Sequence, residues 1–363
     1  MFLIDIFKII LNILYLPFKC LKKKNKILFL SRQTNQVSLE YSMLIKELSK
    51  NDNIEIVTIT KKIERNLKSY IFNFFLLFKQ MYHLGTSKVV ITDGYSVPIS
   101  ILKHRKDLII IQMWHANGII KKIGLQTLEK RSKKQRILAI KMNMHKNYNY
   151  VISSSKHSSV VFSKAFNVNL KNILNFGTPM LDYIYYKKND KSKEIKEKYN
   201  LYDKKIIVYL PTYRKNIIDY SNLLKNIDFN KYYLVMKKHP VDKLNIIDNR
   251  IIMINDYIAE DLISVADYVI SDYSNVVFES ILSNKKTFCY IYDYEEYKKD
   301  FGLNIDIKKQ FKYAFYNITD LVENLDNNYD MQLALRFTKK YVENFDGKCT
   351  DRIISFIEKI MIK

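Results

Sequence analysis

Short runs of β-branched and other apolar residues alternate with segments of helical period along most of this chain, and the alternation begins twice. Continuous apolar runs of this kind are typical of strands that are buried on both faces of a parallel sheet. The predicted strands are 27–30, 54–59, 89–92 and 108–113 in the first half, and 206–210, 233–236, 251–254, 268–271 and 287–291 in the second. The pattern predicts an α/β fold with two wound sheets.

A chain of 363 residues has the length of two domains of ordinary size. The break at 177–179 (Gly-Thr-Pro) and the charged helical segment 187–198 indicate where the first domain ends. The predicted divisions are an amphipathic helix at 1–25, a Rossmann-like domain at 26–186, a second one at 187–345 and a C-terminal helix at 346–363. Because ligands of open parallel sheets bind beyond the carboxyl ends of the strands, we expect a site in a cleft between two facing sheets.

The opening segment MFLIDIFKIILNILYLPFK predicts an amphipathic helix. Asp5, Lys8 and Asn12 lie at helical spacing and form a narrow polar stripe on an otherwise apolar surface. The lysines that close and follow the segment are Lys19, Lys22, Lys23, Lys24 and Lys26. This combination is typical of a helix that lies in the membrane interface beside anionic head groups. A core-packed helix and a signal-anchor stay open as alternatives, and no apolar run is long enough to predict a spanning helix.

Charge and cysteine content narrow the class of partner. The formal net charge of +23 suits anionic lipid, nucleotide or nucleic acid, although composition bias on a solvated surface accounts for it equally well. Cys20, Cys289 and Cys349 are far apart and predict neither a disulfide framework nor a zinc site. The sequence has no glycine-rich dinucleotide motif, no P-loop, no nucleophile elbow and no carboxylate pair at metal-binding spacing. We therefore expect no cofactor and a reaction that needs no metal ion.

Two of the six histidines follow predicted strands of different halves. His115 follows the strand 108–113 in QMWHANGIIKKIG, and His239 follows the strand 233–236 in MKKHP. Imidazoles in such places can supply a general base to an attacking hydroxyl and a cation to a phosphate. A structural histidine is the commoner explanation of one such position, but the matched places in both halves favour catalysis.

A strand, a short polar turn and a helix follow one another in ISDYSNVVFESIL. Asp272 follows the strand, and Ser274 or Asn275 is a natural cap whose helix amides could bind a diphosphate. Glu279 lies one turn into the helix, where a carboxylate can reach ribose hydroxyls. Plain helix capping without a ligand is the alternative.

Another strand of the second half is followed by Thr212 and Arg214 in VYLPTYRK. An arginine at that place could bind two phosphate oxygens at once, and it could equally be a surface residue.

Five segments, in their order and spacing, resemble the CDP-glycerol:glycerophosphotransferase family of wall teichoic acid synthesis. They are QMWHANGIIKKIG, FGTPMLD, VYLPTYRK, MKKHP and ISDYSNVVFESILSNKKTFCYIYDYEEY, within residues 108–304. The WHA form of the histidine motif and the short length are most similar to enzymes that add the first glycerol phosphate to a lipid-linked disaccharide. The resemblance implies a GT-B-like pair of Rossmann-type domains, the first binding the acceptor and the second the nucleotide donor.

The resemblance also implies roles for single residues. His115 corresponds to the proposed base, and His239 and Arg214 to contacts of the donor phosphates, so both histidines are predicted to be catalytic. The predicted substrate-binding residues are Trp114, Lys121, Lys122, Thr212, Arg214, Asp272, Ser274, Asn275 and Glu279.

The chain departs from the family pattern at three places. Asn275 stands where a second serine is usual, Met180 where an arginine follows the proline, and Phe301 where an arginine precedes the glycine. Candidates to replace the two missing arginines are Lys298, Lys299 and the Lys121–Lys122 pair.

The sequence thus predicts transfer of glycerol phosphate from CDP-glycerol to a saccharide linked to undecaprenyl diphosphate, with release of CMP. We expect peripheral attachment to the anionic cytoplasmic face of the cell membrane and no nucleic-acid partner. One alternative is a GT-B-type transferase that uses CDP-ribitol or a nucleotide sugar. A second is a non-enzymatic basic module for lipid or nucleic acid, suggested by the charge and by the lysine-rich stretch 121–146.

Overall fold

The computed structural model describes residues 2–62, 67–186, 191–214, 220–237 and 248–362, without the side chains of 67–73. It contains two six-stranded parallel sheets, with strand orders β2-β1-β3-β4-β5-β6 and β12-β11-β10-β7-β8-β9. The strands are β1 Lys26–Ser31, β2 Glu55–Thr60, β3 Val89–Thr92, β4 Ile109–Gln112, β5 Tyr150–Ser153, β6 Ile173–Asn175, β7 Lys205–Tyr209, β8 Tyr232–Met236, β9 Ile251–Met253, β10 Tyr268–Ser271, β11 Lys286–Tyr290 and β12 Ala314–Phe315.

Helices connect the strands, as parallel pairing requires. They are α1 Phe2–Cys20, α2 Leu39–Leu48, α3 Leu67–Thr86, α4 Val97–Ile101, α5 Lys133–Lys141, α6 Lys156–Phe166, α7 Pro179–Tyr186, α8 Ser192–Tyr199, α9 Ser221–Asn226, α10 Ala259–Val265, α11 Val276–Leu282, α12 Tyr294–Phe301, α13 Ile307–Gln310, α14 Ile318–Glu323, α15 Met331–Lys339 and α16 Cys349–Ile362, with 3₁₀ helices at Gly124–Lys130 and Leu170–Asn172.

The chain forms two compact units, each around one sheet. The first comprises Met1–Asn117, Ile123–Asp182 and Glu343–Lys363, and the second comprises Gly118–Lys122 and Tyr183–Val342. The chain therefore passes between the units several times. The domain divisions predicted from the sequence stay a prediction about independently folding parts.

The nine strands predicted from apolar runs are all present, with ends that differ by a residue or two. The pattern did not predict β5, β6 and β12, which are short and carry few β-branched residues. The α/β fold with two parallel sheets is confirmed.

The C-terminal helix α16 belongs to the first unit. Its residues Ile353 and Ile357 pack in the same core as the strands of the first sheet. The Asp182 carboxylate accepts hydrogen bonds from the first amides of α16, Cys349 N at 3.0 Å and Thr350 N at 2.6 Å. A negative charge at a helix N-terminus is favourable, so the FGTPMLD motif anchors the end of the chain.

Helix α1 presents its polar stripe to the protein and its apolar face to the outside. Asp5 pairs with Lys141 at 2.7 Å, Lys8 Nζ donates to Lys141 O, and Asn12 Nδ2 donates to Ile101 O. The exposed apolar side chains are Phe2, Leu3, Phe7, Ile9, Ile10, Ile13, Leu14 and Leu16. This is the reverse of an ordinary surface helix, which exposes its polar side. Within the described residues, no helix is long and apolar enough to cross a membrane.

Candidate active site

In the second sheet, the polar residues meet where the strand order changes direction. From β7 the chain proceeds to β8 and β9 on one side, and then returns to β10 on the other side of β7. Ligands of open α/β sheets bind beyond the carboxyl ends of the strands at such a switch point. Thr212 follows β7 and Asp272 follows β10, and both are buried. Thr212 donates to the Asp272 carboxylate through its backbone N (3.0 Å) and its Oγ1 (2.5 Å).

Arg214 joins two carboxylates at this edge of the sheet. Its Nη2 donates to Asp272 at 2.9 Å, its Nε donates to Asp293 at 2.5 Å, and its Nη1 donates to Thr212 O at 2.9 Å. The side chains of Arg214 and Asp272 are only 7% and 1% exposed. Burial lowers the pKa of the guanidinium, but Asp272 and Asp293 outweigh that effect and raise the pKa well above its ordinary value. Arg214 thus organises the site, because most of its donors are already bound within the protein.

Aromatic rings pack around the guanidinium of Arg214. Tyr273 and Tyr297 stack with ring centroids 4.0 Å apart, and Arg214 Cζ lies 4.5 Å from the centroid of Tyr297. Phe301, which replaces a family arginine, stacks on Tyr297 at 4.6 Å. Arginine on aromatic faces gains cation–π attraction, so these rings fix the position of Arg214.

Lys121 is a cation near the same carboxylate. It is half-buried, and burial lowers the pKa of its ammonium, while Asp272 raises it and Arg214 lowers it further. Within the described part of the chain, Lys121 Nζ has no hydrogen-bond partner. Lys121 is therefore available to an anionic ligand in a way that Arg214 is not. The side chain of the neighbouring Lys122 packs against Gly302. The backbone of Lys122 also contacts that residue, since Lys122 N donates to Gly302 O at 3.0 Å.

Asn275 binds the backbone of the segment 118–122. Its Oδ1 accepts from Gly118 N at 3.0 Å and from Ile119 N at 3.1 Å. Ile119 has a positive φ of 51°, which is costly for a β-branched residue and persists where the surroundings enforce it. Asn275 precedes α11, but its side chain makes no cap hydrogen bond there. The asparagine that departs from the family pattern thus holds the segment that carries Lys121.

Gly118 is required at this contact, because a Cβ added there would lie 2.0 Å from Cε2 of the buried Phe278. We expect Gly118→Ala to lower the free energy of unfolding by about 1–3 kcal/mol through overpacking, measured by chemical denaturation. Gly94→Ala is the matched control, since its added Cβ would meet only the mobile side-chain end of Gln33 at 2.9 Å. Equal effects of the two substitutions would contradict the packing assigned to Gly118.

Glu279 forms a carboxyl pair with Glu260 of α10. Burial raises the pKa of the Glu260 carboxyl, Asp261 raises it further, and the neighbouring Glu279 and Lys237 oppose that shift. Ser274 lies just before α11, and its Oγ accepts a hydrogen bond from Val276 N at 3.4 Å.

The switch point of the first sheet lies between β1 and β3, and it positions His115. Ser31 Oγ, at the end of β1, donates to Asp93 Oδ2 at 2.7 Å, and Asp93 follows β3. The backbone O of Asp93 lies 2.9 Å from His115 Nδ1. A carbonyl oxygen only accepts, so Nδ1 carries the proton and Nε2 carries the lone pair of the neutral ring. Burial raises the pKa of the Asp93 carboxyl, and Ser31 and His115 oppose that shift.

Trp114 stacks on His115, with ring centroids 4.5 Å apart, and contacts His145 at 6.0 Å. Trp114 has a positive φ of 53°, which is uncommon for a bulky residue and marks a constrained turn. Burial lowers the pKa of His145 to about 4, so this second imidazole is neutral at physiological pH. The constrained turn after β4 therefore presents His115 on a rigid aromatic support.

The comparisons with known proteins agree with the geometry. The family model described as CDP-Glycerol:Poly(glycerophosphate) glycerophosphotransferase matches residues 13–359. The chain belongs to this family. It is 30% identical to the teichoic acid glycerol-phosphate primase of Bacillus subtilis (strain 168) over 78% of this chain and 77% of that protein. It is 26% identical to the teichoic acid ribitol-phosphate primase of Bacillus spizizenii over 93% of this chain and 92% of that protein.

A solved structure of the wall teichoic acid polymerase TagF has the same fold. It matches with a TM-score of 0.72 and 20% sequence identity, over 99% of this chain and 97% of that chain. The family predicted from the five motifs is confirmed, and with it the activity, glycerophosphotransfer from CDP-glycerol in teichoic acid synthesis.

Most of the site residues predicted from the sequence fall into two groups, one in each unit of the glycerophosphotransferase. Trp114 and His115 lie in the first unit; the group in the second unit comprises Lys121, Lys122, Thr212, Arg214, Asp272, Ser274, Asn275 and Glu279. His239 lies outside the described residues. No three His, Cys, Asp or Glu side chains of the described residues form a group that could hold a metal ion.

Some residues of the site were not predicted from the sequence. Asp93 and Asp293 both come soon after strands, so the strand-end rule that pointed to Asp272 could have found them. Glu260 follows no strand directly, and no signal in the sequence indicates that it pairs with Glu279.

Proposed function

We propose that this glycerophosphotransferase works on a lipid-linked saccharide at the cytoplasmic face of the cell membrane, with His115 as the general base. The observation that carries the role of His115 is the hydrogen bond from its Nδ1 to Asp93 O, because it fixes the tautomer in which Nε2 is the basic nitrogen of the ring. The Asp93 carboxyl group lies close enough to His115 for their charges to interact, and it favours the imidazolium that forms.

In the proposed reaction, the acceptor hydroxyl gives its proton to His115 Nε2 and its oxygen forms a bond to the β-phosphorus of CDP-glycerol. The bond from that phosphorus to the bridging oxygen breaks, and CMP leaves with the electron pair. Positioning and charge neutralisation supply most of the catalysis in transfers of this kind. We assign neutralisation to Lys121 and His239, and the positioning of the donor pocket to Arg214, Asp272 and Thr212.

Glu279 and Ser274 are proposed to contact the donor. Glu279 lies in the first turn of α11, and its carboxyl oxygens can accept hydrogen bonds from ribose hydroxyls. Asn275 acts through the segment 118–122 that it binds, and Trp114 through its stacking on His115.

The match to a ribitol-phosphate primase over nearly the whole chain favours one second candidate, a donor that carries ribitol phosphate. An assay of CMP release separates the two candidate donors. It uses purified chain, a synthetic lipid-linked disaccharide and either CDP-glycerol or CDP-ribitol. We expect the larger kcat/KM with CDP-glycerol. A larger value with CDP-ribitol, or release of UDP from a nucleotide sugar instead, would overturn the choice of donor.

The exposed apolar face of α1 supports peripheral membrane attachment. Every described side chain on that face is apolar, and helix α3, which contacts α1, adds exposed Phe74 and Phe75. The lysines after α1, among them Lys22 and Lys24, are exposed and can reach anionic head groups. An apolar face with adjacent cations is the combination that holds a helix in the membrane interface.

We expect Phe7→Glu/Ile10→Glu to weaken binding to vesicles of anionic phospholipid by more than about tenfold, because each side chain loses apolar burial and adds a repelled charge. Sedimentation with vesicles measures it. Val160→Glu/Leu170→Glu is the matched control, since both residues are exposed and apolar but lie outside α1. Equal vesicle binding of the two variants, or parent protein that resists extraction by high salt and alkali, would contradict the interfacial assignment.

A further inference from the structure

A cavity of about 660 Å³ opens between the polar side of α1 and two segments of the first unit. The segments are 100–103, at the end of α4, and 143–147, after α5. Its size lies in the range of small-molecule sites. Asn12 fixes this wall of the cavity, since its Nδ2 donates to Ile101 O at 3.2 Å and its Oδ1 accepts from Lys103 N at 2.7 Å.

Cations dominate the polar part of the cavity. Lys8, Lys19, Lys103 and Lys146 line it, and Lys8 Nζ is bound to a backbone carbonyl. Among the described residues, the side chains of Lys19, Lys103 and Lys146 have no hydrogen-bond or carboxylate partner. Asp5, the acidic residue of the lining, is already paired with Lys141 at 2.7 Å. The cavity therefore has an excess of uncompensated positive charge and suits an anion of high charge.

The outer wall of the cavity is apolar. Ile9, Ile13 and Leu16 of α1 line it and are also exposed on the outer face of the helix. A ligand with an anionic head beside the lysines can thus keep an apolar chain along α1, on the side we assign to the membrane. Charge and apolar surface together fit a phosphate-bearing amphiphile.

The cavity is joined to the catalytic histidine by a short chain of contacts inside the same unit. The segment 143–147 contains His145, whose ring lies 6.0 Å from Trp114, and Trp114 lies 4.5 Å from His115. The segment that lines the cavity is thus also packed against the aromatic support of His115.

We propose that this cavity binds the diphosphate of the lipid-linked acceptor, with Lys103 and Lys146 as its principal cations and the start of the lipid chain along Ile9, Ile13 and Leu16. The assignment rests on the proposed function for the identity of the acceptor. It adds a binding site that is built from residues of the first unit, and it gives α1 a part in substrate binding as well as in attachment.

Direct binding tests the cavity without any transfer reaction. The full chain in uncharged detergent micelles is titrated with farnesyl diphosphate, farnesol or inorganic pyrophosphate by calorimetry. We expect farnesyl diphosphate to bind more tightly than either of the others, and Lys103→Gln/Lys146→Gln to bind it about tenfold more weakly, as expected for the loss of two partly exposed charge contacts. Lys164→Gln/Lys171→Gln removes the same charge from exposed positions outside the cavity and should bind like the parent.

Three results of this titration would overturn the proposal. They are equal affinity of the two double variants, no preference of the parent for farnesyl diphosphate over farnesol, and displacement of farnesyl diphosphate by phosphatidylglycerol at equal mole fraction. The last result would mean that the cavity binds the phosphate of bulk anionic lipid and not that of the acceptor.

Steady-state kinetics link the cavity to the acceptor. With a disaccharide on a lipid diphosphate, Lys103→Gln/Lys146→Gln should raise KM about tenfold and leave kcat nearly unchanged. With an alkyl glycoside of the same disaccharide, which has no phosphate, the variant and parent should be equal. An equal loss with both acceptors would contradict the proposal. Absence of turnover with every acceptor would contradict the proposed function instead, and the titration would still decide the cavity.

Discussion

Replacing His115 by alanine is expected to lower kcat by about 10²–10⁴-fold, the contribution of a positioned general base. The reason is the tautomer that Asp93 O imposes, since it makes Nε2 the proposed base and alanine has no such nitrogen. The residues proposed to bind the donor belong to the second unit, so we expect the dissociation constant of CDP-glycerol to change little. Rapid-quench turnover and equilibrium donor binding measure the two effects separately.

Asp93→Asn is the informative companion of this variant. It keeps the backbone carbonyl that orients His115 and removes only the carboxylate charge, so it should cost less activity than His115→Ala and shift the pH profile of kcat. A carboxylate favours the imidazolium, so its loss lowers the pKa of the base and moves the acidic limb of the profile to lower pH. Near-parental turnover of folded His115→Ala would place the base elsewhere. Loss of donor binding in that variant would exchange the roles of His115 and His239.

Arg214→Met is expected to lower the free energy of unfolding by about 3–5 kcal/mol, because it leaves two carboxylates without their cation in a buried site. Asp272 is 1% exposed and Asp293 is 12% exposed, so solvent cannot replace the guanidinium. Thermal and chemical denaturation of the full chain measure the loss. Donor affinity should fall as well, since Thr212 and Tyr297 lose the group that positions them.

Two further variants separate charge from packing at Arg214. Arg250→Met removes an exposed arginine that pairs with Asp248, and it should leave the free energy of unfolding nearly unchanged. Arg214→Met/Asp293→Asn removes one of the stranded charges and should recover part of the stability without recovering donor affinity. If Arg214→Met and Arg250→Met change the free energy of unfolding by the same amount, the network of Arg214, Asp272 and Asp293 does not stabilise the second unit.

The positions of strand ends could be predicted from the sequence, because an apolar run and the polar residue that follows it are both local features of the chain. His115, Thr212 and Asp272 each follow such a run, and the structure places all three at the carboxyl edges of the sheets. The sheet order could not be predicted in this way, and it is the order that brings Thr212 beside Asp272 and Ser31 beside Asp93.

Other features depend on tertiary contacts that leave no local signal. Asn275 reads as a helix cap, but its side chain binds the backbone at Gly118 and Ile119. Arg214 reads as a phosphate ligand, but two carboxylates already hold it. The polar stripe of α1 gives no local sign of what it faces, and the structure shows that it contacts the protein and lines the cavity. In each case a polar side chain has several possible partners, and only the fold selects among them.

Transfer of glycerol phosphate to a lipid-linked saccharide can be read from the mass of the lipid product. Purified chain is incubated with CDP-glycerol and a synthetic disaccharide on a lipid diphosphate, and the extracted lipid is analysed by mass spectrometry beside the CMP released. We expect a lipid heavier by whole glycerol phosphate units, with one CMP for each unit and no such product from His115→Ala. An unchanged lipid with folded protein, or CMP release without added mass on the lipid, would contradict it.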